Sequence, residues 1–375
     1  MNQGIHLTLL MGVGVPLPVP KPVIEALESV QISHNTDSPS GFDLKFKFSS
    51  NSVLTTLLML MGQQGPFIRT IIIVTHNGRP HVLMDGMIAN QAFQPDVQTG
   101  KSTLTLKGQD LTSVMDLVEI KGIPFPGMPP SARVLTILGK YAPLGVIPIV
   151  IPSLIPDVPI PTEKIPSQNG TDKQYIDFLG QEVGHVFYVD PGPAPGTSTA
   201  YWGPQNHLGT GPPLPALSVN MDAYTNVESL SVQFDGSTKK LPLLNIFVKE
   251  LKTTIPIPLP DITPLSPLLG AVPIPPQDVK FLETGKDTPT KAALKGIAAA
   301  VNSSHVVKVS GSLDVMRYGS ILKARRLIGV RGAGVALDGM YFIKSVTHNI
   351  KKGEFKQDFV LSRNALVSNT PVVPV

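Results

Sequence analysis

Apolar and polar side chains alternate along several stretches in the first third of the chain. In Phe42–Phe48 every second residue is apolar, which is the period of a strand with one buried face. The β-branched run Arg69–Thr75 ends at Asn77-Gly78, a dipeptide favoured in tight hairpin turns, and His81–Ile88 can return as its partner. We therefore predict a compact antiparallel β unit that ends near residue 115.

The same alternation returns near the C-terminal end. Tyr341–Ile350 and Phe355–Leu361 predict a hairpin whose turn is Lys351–Glu354, and Val227–Phe234 predicts an earlier strand of the same unit. In the last strand, Phe355, Gln357, Phe359 and Leu361 share one face. His348 alternates with apolar neighbours, so we predict a hydrogen-bonded, partly buried histidine rather than a catalytic one.

Between these β units the apolar period becomes that of helices. Thr171 and Gln174 form a capping box, and Gly184 supplies a left-handed exit. The buried stripe of this helix is predicted to comprise Tyr175, Phe178, Leu179 and Val183. Ser131 is predicted to cap an earlier helix, which Pro143 would end.

Proline is the compositional outlier, with 38 residues in 375. Two apolar, Pro-rich segments, Pro143–Pro166 and Ile255–Pro276, favour extended backbone, and we expect them to pack against the body or against another subunit. The apolar run Pro143–Pro161 holds too many prolines for a membrane-spanning helix, so no span is expected. Pro191–Pro215 is predicted to be a surface loop.

The charge pattern argues against several classes of protein. The formal net charge is only +4, without a basic stripe, so no site specific for nucleic acid is expected. The densest basic stretch, Lys323–Arg331, also carries apolar residues and is predicted to form strand or turn edges that face solvent or a partner. The absence of cysteine fits a reducing compartment. The apolar run Ile5–Val19 lacks the features of a signal peptide, so none is expected.

Residue patterns that carry chemistry are scarce. The eight histidines are scattered, and His76 and His81 lack metal-binding neighbours in sequence. The chain has neither a Gly-x-Ser-x-Gly nucleophile elbow nor a phosphate-binding loop. We therefore predict no catalytic residue, no metal and no cofactor. Two alternatives remain open: a β-rich protein that binds a ligand or carbohydrate through Tyr201-Trp202, and a hydrolase whose site no motif reveals.

The C-terminal stretch Gly332–Arg363 carries the most specific pattern. It contains Gly332-Ala333-Gly334, then Leu337–Ile343 with its Asp-Gly-x-Tyr, then Ser345–His348, and a last strand ending at Arg363. This succession resembles the C-terminal end of the phage late-control D family. Members of that family are baseplate hub proteins of contractile phage tails, of extracellular contractile injection systems and, fused to a spike, of type VI secretion.

Other stretches extend the resemblance over most of the chain. Gly41–Leu44 resembles the opening strand of such hubs, Gly108–Leu111 the end of their first barrel, and Tyr175–Leu179 with Gly184 their inserted α+β unit. The motif positions, all expected to be structural, are Gly41, Phe42, Asp110, Phe178, Gly184, Gly334, Gly339, Tyr341, Val346, His348, Phe359 and Arg363.

The resemblance implies a fold, an assembly and a set of partners. The fold is mainly β with an α+β insertion, as two tube-like antiparallel β-barrel domains of which the second is split. A homotrimer would form a pseudo-hexameric ring that joins the sixfold inner tube to the threefold spike. Only 12 residues follow Arg363, so the expected partners are a separate spike protein, the inner tube ring and other baseplate subunits.

The predicted domain boundaries follow the pattern and the resemblance together. They are 1–115 for the first β-barrel domain, 116–218 for the α+β insertion, 219–250 with 297–366 for the second β-barrel domain, 251–296 for a Pro-rich insertion and 367–375 for a tail. The chain is expected in the cytoplasm during assembly and then in a phage-tail-like particle that is released or attached to a membrane. No lysozyme-like domain is expected.

Overall fold

The structure, a computed structural model, describes residues 4–49, 68–95, 100–154, 158–163, 165–248, 253–282 and 289–369. Within them, the strands of the first part are β1 (His6–Val13), β2 (Leu17–Pro18), β3 (Leu27–Asn35), β4 (Gly41–Ser49), β5 (Ile68–His76), β6 (Arg79–Pro95) and β7 (Lys101–Asp110). The strands of the middle part are β8 (Glu119–Pro124), β9 (Val146–Val150), β10 (Ser167–Thr171), β11 (His185–Pro191), β12 (Ser198–Pro204) and β13 (Leu214–Ser218).

The remaining described strands are β14 (Ser229–Phe234), β15 (Lys240–Val248), β16 (Thr253–Pro258), β17 (Val272–Pro273), β18 (Asp278–Phe281), β19 (Val307–Asp314), β20 (Leu327–Arg331), β21 (Gly339–Lys351), β22 (Glu354–Arg363) and β23 (Ala365–Leu366). The described helices are α1 (Lys21–Ala26), α2 (Thr112–Met115), α3 (Pro130–Gly139), α4 (Asp172–Val183), α5 (Pro289–Ser303) and α6 (Val315–Tyr318). Short 3-10 turns lie at Ala142–Leu144, Asp222–Tyr224 and Gly236–Thr238.

One 13-stranded sheet organises the molecule, and its strand order repeats. The first unit has the order β3-β4-β7-β6-β5-β1, and the second has β14-β19-β22-β21-β20-β13. If the six strands of each unit are numbered from 1 to 6 along the chain, both units have the spatial order 2-3-6-5-4-1. The units differ at their last pair, because β1 runs antiparallel to β5 whereas β13 runs parallel to β20.

The two units meet where β21 pairs with β3, antiparallel, from Ser345↔Asn35 to Lys351↔Ser29. One apolar core cluster draws side chains from both units, including Ile32 and Phe46 of the first and Val346 and Phe359 of the second. Among the described residues, no pairing joins β14 to β2, so the sheet is not seen to close into a barrel. The predicted class, mainly β with antiparallel sheets, is confirmed.

The alternation along single strands predicted these buried faces correctly. In β4, Phe42, Leu44, Phe46 and Phe48 are buried, and in β22 Phe355, Gln357, Phe359 and Leu361 are buried. The predicted turn at Asn77-Gly78 is present, with φ of 50° and 75°, the left-handed values that favour these residues.

The middle of the chain folds as a separate layer with its own core. Helices α3 and α4 pack with the sheet β11-β12-β9, around side chains such as Leu138, Ile176 and Trp202. The prediction of a surface loop over Pro191–Pro215 was wrong in part, because β12 lies inside it with Trp202 fully buried. Apolar residues at alternate positions, Ala200 and Trp202, face this core and outweigh the flanking prolines and glycines.

Helix α4 begins and ends as predicted, but one of its side chains does not lie where predicted. The Gln174 backbone N–H donates to Oγ1 of Thr171 at 3.2 Å, the Thr171 N–H donates to the Gln174 side chain, and Gly184 has φ of 72°. Phe178, predicted in the buried stripe, is 52% exposed. It lies at the margin of the face that Tyr175 and Leu179 share, and its ring stacks on Tyr175 at 6.3 Å.

Helix α3 starts earlier than predicted. Pro130 is its first residue and Pro129 its N-cap, without a side-chain cap, so Ser131 is not the cap. Proline is well suited to this first turn because its missing N–H has no helical partner there. Leu135 of this helix is about half exposed.

The Pro-rich segments are extended and largely superficial. Strand β9 lies in Pro143–Pro166 and pairs parallel to β12, while β16 and β17 overlap Ile255–Pro276. Exposed apolar side chains of the first segment are Ile147, Ile149, Leu154, Val158, Ile160 and Ile165. No helix in the described ranges has the length and apolar character needed to cross a membrane.

Candidate functional site

The C-terminal motif folds into one compact cluster around Arg363. This side chain is fully buried at the end of β22, and its guanidinium donates to the backbone carbonyls of Asp338 at 3.0 Å and Val367 at 2.6 Å. The Tyr341 ring lies 5.2 Å from it, and the Tyr341 hydroxyl donates to the Leu337 carbonyl at 2.6 Å. The cluster holds the loop before β21 against the chain that leaves β22.

Two predicted glycines belong to the same cluster. Gly339 has φ of 130°, and a Cβ there would lie 3.2 Å from the Arg363 guanidinium. Gly334 has φ of 105°, and its carbonyl accepts from the Asp338 N–H. The structure thus brings Gly334, Gly339, Tyr341 and Arg363 together, although the role of each remains a prediction.

The first unit has a corresponding cluster at the end of β7. The buried Asp110 carboxylate accepts the Ser40 N–H at 2.8 Å and the Thr112 N–H at 3.0 Å. Burial raises the pKa of Asp110, an effect that these hydrogen bonds oppose. Gly41 and Phe42 follow Ser40 in β4, and the Phe42 ring occupies the space that a side chain at position 108 would need.

The remaining predicted positions lie inside the sheet or the insertion. Val346 and Phe359 are opposite each other across β21 and β22, and both are buried. Gly184 packs tightly on helix α5, since a Cβ would lie 2.8 Å from the Leu294 carbonyl oxygen. Phe178, as described above, lies at the surface of α4.

His348 is hydrogen-bonded, as predicted, and it is more deeply buried than the prediction of a partly buried residue. The Gln357 side chain accepts the Leu322 N–H at 2.9 Å, which orients its amide, and its nitrogen donates to Nδ1 of His348 at 2.9 Å. Neutral His348 therefore carries its proton on Nε2. Burial lowers the pKa of His348 well below its ordinary value, with His34 adding to the shift. The group is a neutral part of the core.

A polar cavity of about 540 Å³ lies between the two units and the insertion. His207 and His305 line it with ring centroids 3.9 Å apart, and their Nδ1 atoms are within hydrogen-bond distance of Ser266 and Ser362. Burial lowers the pKa of His207 to about 4. Each Ser–His pair has the composition of a nucleophile and base. Both serines are buried, and of the two only Ser362 lines the cavity.

The carboxylates around this cavity are engaged in structural contacts. Asp37 pairs with Lys344 at 2.7 Å, and Asp177 pairs with Lys173 at 2.6 Å. Among the described residues no group of histidines and carboxylates has a metal-binding arrangement. The Asp37–Lys344 pair joins the two units across this cavity.

Arg325 of the second unit contacts both the first unit and the insertion, and the sequence prediction missed this role. Arg325 is buried, pairs with Asp190 of β11 at 2.8 Å, donates to the Asn35 carbonyl at 2.6 Å and lies 3.9 Å from the Tyr188 ring centroid. The prediction that Lys323–Arg331 faces solvent or a partner was therefore wrong for Arg325. Its acidic and aromatic partners are far away in sequence, so the local basic pattern carried no signal of burial.

A second buried arginine fixes the insertion to the first unit. Arg69 of β5 forms two hydrogen bonds with Asp85, both at 2.7 Å, and also donates to the carbonyls of Leu144 and Gly196. This pair too was missed, because the two residues lie in a stretch that otherwise predicts only a strand hairpin.

The carbohydrate-binding alternative loses its proposed platform. Trp202 is buried under helix α4, where its indole N–H donates to the Ile176 carbonyl at 3.3 Å. Tyr201 stacks on Tyr188 at 4.9 Å and donates to the Pro204 carbonyl. Both side chains serve internal packing.

The exposed features that remain are strand edges and apolar side chains. The side chains at the end of β6, from Asn90 to Pro95, are exposed, and that of Phe93 is 44% exposed. Strand β14 ends the long sheet with Val232 at 36% and Phe234 at 54% exposure. Unpaired edges of this kind invite pairing with another chain, so we regard these two edges as the candidate functional surface.

Comparison with known proteins gives a consistent picture of the fold. No protein-family model matches the chain, and no curated protein sequence matches it. Among solved structures, the tail protein from Neisseria meningitidis MC58 is 13% identical with a TM-score of 0.61, and the alignment covers 96% of this chain and 97% of that one. The 43 kDa tail protein of prophage MuSo2 from Shewanella oneidensis is 14% identical with a TM-score of 0.62, covering 97% and 100%.

A third structure comes from a secretion machine. An Escherichia coli component of the type VI secretion system, described as structurally similar to the T4 tail proteins gp27 and gp5, is 10% identical with a TM-score of 0.53, covering 93% of this chain and 77% of that one. At these identities the likeness concerns the fold. The chain has the fold of phage tail proteins and of this secretion component.

Proposed function

We propose that the chain is a structural, non-enzymatic subunit of the baseplate hub in a contractile injection system, and a member of the late-control D family. Three copies would form a ring that joins the sixfold inner tube to the threefold spike. After assembly the subunit would belong to a phage-tail-like particle.

The observation that carries this proposal is the repeat of six-stranded units within one chain. Each unit has the same strand order, and the units are joined side by side through β3 and β21. Three copies of a chain with two equivalent units contain six equivalent units. Such a ring could match a sixfold partner on one side and a threefold partner on the other.

Three further features support an assembly role over catalysis. The buried charged groups, such as Arg69 with Asp85 and Arg325 with Asp190, hold the parts of the chain together. Exposed apolar side chains are concentrated on strand edges and Pro-rich segments, which is typical of surfaces that are covered in a complex. The fold likeness to tail proteins agrees with both.

Reconstitution with the partner proteins tests this proposal. The chain would be co-expressed with the inner tube protein and the spike protein encoded beside it, and the complexes separated by size. We expect a complex with three copies of this chain and one spike trimer, to which a tube ring adds. A chain that binds neither protein, while all three are folded, would overturn the hub assignment.

A further inference from the structure

The internal joint, which is the pairing of β21 with β3 between the two units, has two different faces. On one face of β21 and β3, Val346 lies opposite His34, and His348 lies opposite Ile32. All four side chains are buried. On the other face Gln31 donates to Asn349 at 3.2 Å, and Ser33 and Thr347 form a hydrogen bond at 3.3 Å. One face of the joint is therefore buried, with one aliphatic residue and one histidine in each pair, and the other face is polar.

The repeat assigns each residue of this joint an equivalent in the other unit. Strand β6 has a bulge at Ala89, directly after Ile88, and β21 has one at Lys344, directly after Ile343. When the bulge of β6 is aligned with that of β21, the equivalence of every residue in the two strands is fixed. Phe93, five residues after Ile88, is then the equivalent of His348.

The equivalent of β3 is β14, and its register is also determined. Phe42 of β4 pairs with Ile32 on one side and Gly108 on the other. Val309 of β19 pairs with Val232 on one side and with Leu361 on the other. Because Gly108 and Leu361 lie opposite the equivalent residues Ile88 and Ile343, Ile32 and Val232 are equivalent.

In the second unit, the C-terminal half of β21 pairs with β3. In the first unit, the equivalent edge of β6 has no strand beside it among the described residues. Beyond Met87, β6 pairs only with β7, and β14 pairs only with β19. One chain thus has a free β6 edge at one site and a free β14 edge at another. They are the two halves of a joint of the kind that the chain already contains.

We propose that the free edge of β6 in one copy pairs antiparallel with β14 of the next copy, in the register of the internal joint. The partner is thus a second copy of this chain, and the inference rests on the ring assembly proposed above. The register places Phe93 opposite Val232. The other cross-chain pairs are Gln91 with Phe234, Ala92 with Gln233, Gln94 with Ser231, and Pro95 with Leu230.

Three of the five cross-chain pairs match in character. Phe93 with Val232 and Pro95 with Leu230 form apolar pairs on the face that corresponds to the buried face of the internal joint, where Gln91 also lies opposite Phe234. Gln94 with Ser231 corresponds to the polar pair Asn349 with Gln31. A register shifted by one residue would place Phe93 opposite a polar side chain, Ser231 or Gln233, and would lose this match.

The contact is head-to-tail, because the two edges are different surfaces. Such contacts generate closed rings when the rotation between copies closes, and filaments when it does not. Within one chain, the pairing of β21 with β3 places the two units side by side in one sheet. The proposed pairing of β6 with β14 would do the same between chains, so that the sheet continues around the ring. Both exposed edges would then be covered.

Engineered disulfides test the register directly, because the chain has no cysteine of its own. The test variant is Phe93→Cys with Val232→Cys, whose Cβ atoms would face each other across the joint. The matched control is Phe93→Cys with Ser231→Cys, in which the second thiol points to the opposite face. Ser33→Cys with Thr347→Cys, across the internal joint, is the positive control for oxidation within one chain.

Each variant would be oxidised in the assembled state and separated on non-reducing gels beside a native mass measurement. We expect the test variant to form covalent dimers and trimers that disappear on reduction, while the Ser231 control stays monomeric on the gel. A trimer by native mass whose test variant does not cross-link, or cross-links no more than the control, would overturn the proposed joint and leave the hub intact. A chain that remains monomeric, also with its tube and spike proteins, would overturn both.

Discussion

Asp110 and Arg363 occupy equivalent positions in the two units. Asp110 is the last residue of β7 and Arg363 the last of β22. Each lies two residues after the residue, Gly108 or Leu361, that pairs with the position just before the bulge of the neighbouring strand. Both are buried. Asp110 accepts backbone N–H groups, whereas Arg363 donates to backbone carbonyls. The equivalent position is thus stabilised by a hydrogen-bond acceptor, the Asp110 carboxylate, in the first unit and by a donor, the Arg363 guanidinium, in the second.

Replacement of Arg363 should destabilise the second unit. Arg363→Met keeps an unbranched apolar side chain in place of the arginine stem but leaves the carbonyls of Asp338 and Val367 without their charged donor. We expect the free energy of unfolding to fall by about 3 kcal/mol, measured by urea denaturation. Arg317→Met removes the same charge from an exposed position and should change stability little. A loss no larger than that of the control would contradict the structural role of Arg363.

The Arg69–Asp85 pair should behave as one unit. Asp85→Asn leaves the buried guanidinium without its carboxylate, and we expect a loss of about 3 kcal/mol. The double variant Arg69→Met with Asp85→Leu should lose clearly less than the sum of its single variants. A double-mutant cycle in urea measures this coupling, with Lys121→Gln as an exposed control. Additive losses would show that the pair is not coupled.

Stability should fall in mild acid. Burial lowers the pKa of His34 and of His207 to about 4, from 6.5 in the unfolded chain. Below pH 6.5 the unfolded chain therefore binds more protons than the folded one. The free energy of unfolding is therefore highest above pH 6.5. It falls as the pH decreases towards 4, by up to about 1.4 kcal/mol per pH unit for each histidine.

Urea midpoints measured across this pH range test the effect. In His34→Gln the amide can still donate to the Leu83 carbonyl, so the variant should fold and show a shallower loss of stability with acid. His6→Gln, at an exposed position, is the matched control. An unchanged slope in His34→Gln would mean that protonation of His34 does not drive the acid response.

A charge on the free edge should prevent assembly without unfolding the chain. Val232→Lys places an ammonium opposite Phe93 in the proposed joint, and we expect the association constant to fall by at least about tenfold. Val279→Lys changes another exposed valine, in β18 and outside the joint, and should assemble normally. Sedimentation velocity distinguishes the two, and equal behaviour would argue against the joint.

Local features of the fold were predictable because their causes are local. The alternation in Phe42–Phe48 predicted which face of β4 is buried, and the Thr171–Gln174 capping box predicted where α4 begins. The C-terminal motif predicted a hairpin, which the structure contains as β21 and β22. In each case the residues that interact are close in sequence.

The features that were missed depend on distant partners. Gln31 and Asn349, which meet in the joint between the units, lie 318 positions apart. Arg325 is buried because Asp190 and Tyr188 of the insertion meet it, and a basic stretch alone predicts exposure. Trp202 is buried because helix α4 covers it. The register of the joint became apparent only when the bulges at Ala89 and Lys344 could be compared.

The most direct test of the central claim is the mass of the assembled particle. Native mass spectrometry would be applied to the purified chain, alone and with its spike and tube proteins. We expect a species of three chains, closed as a ring, that binds one spike trimer. A chain that stays monomeric in every mixture, or that forms open series of two, three, four and more copies, would contradict this expectation.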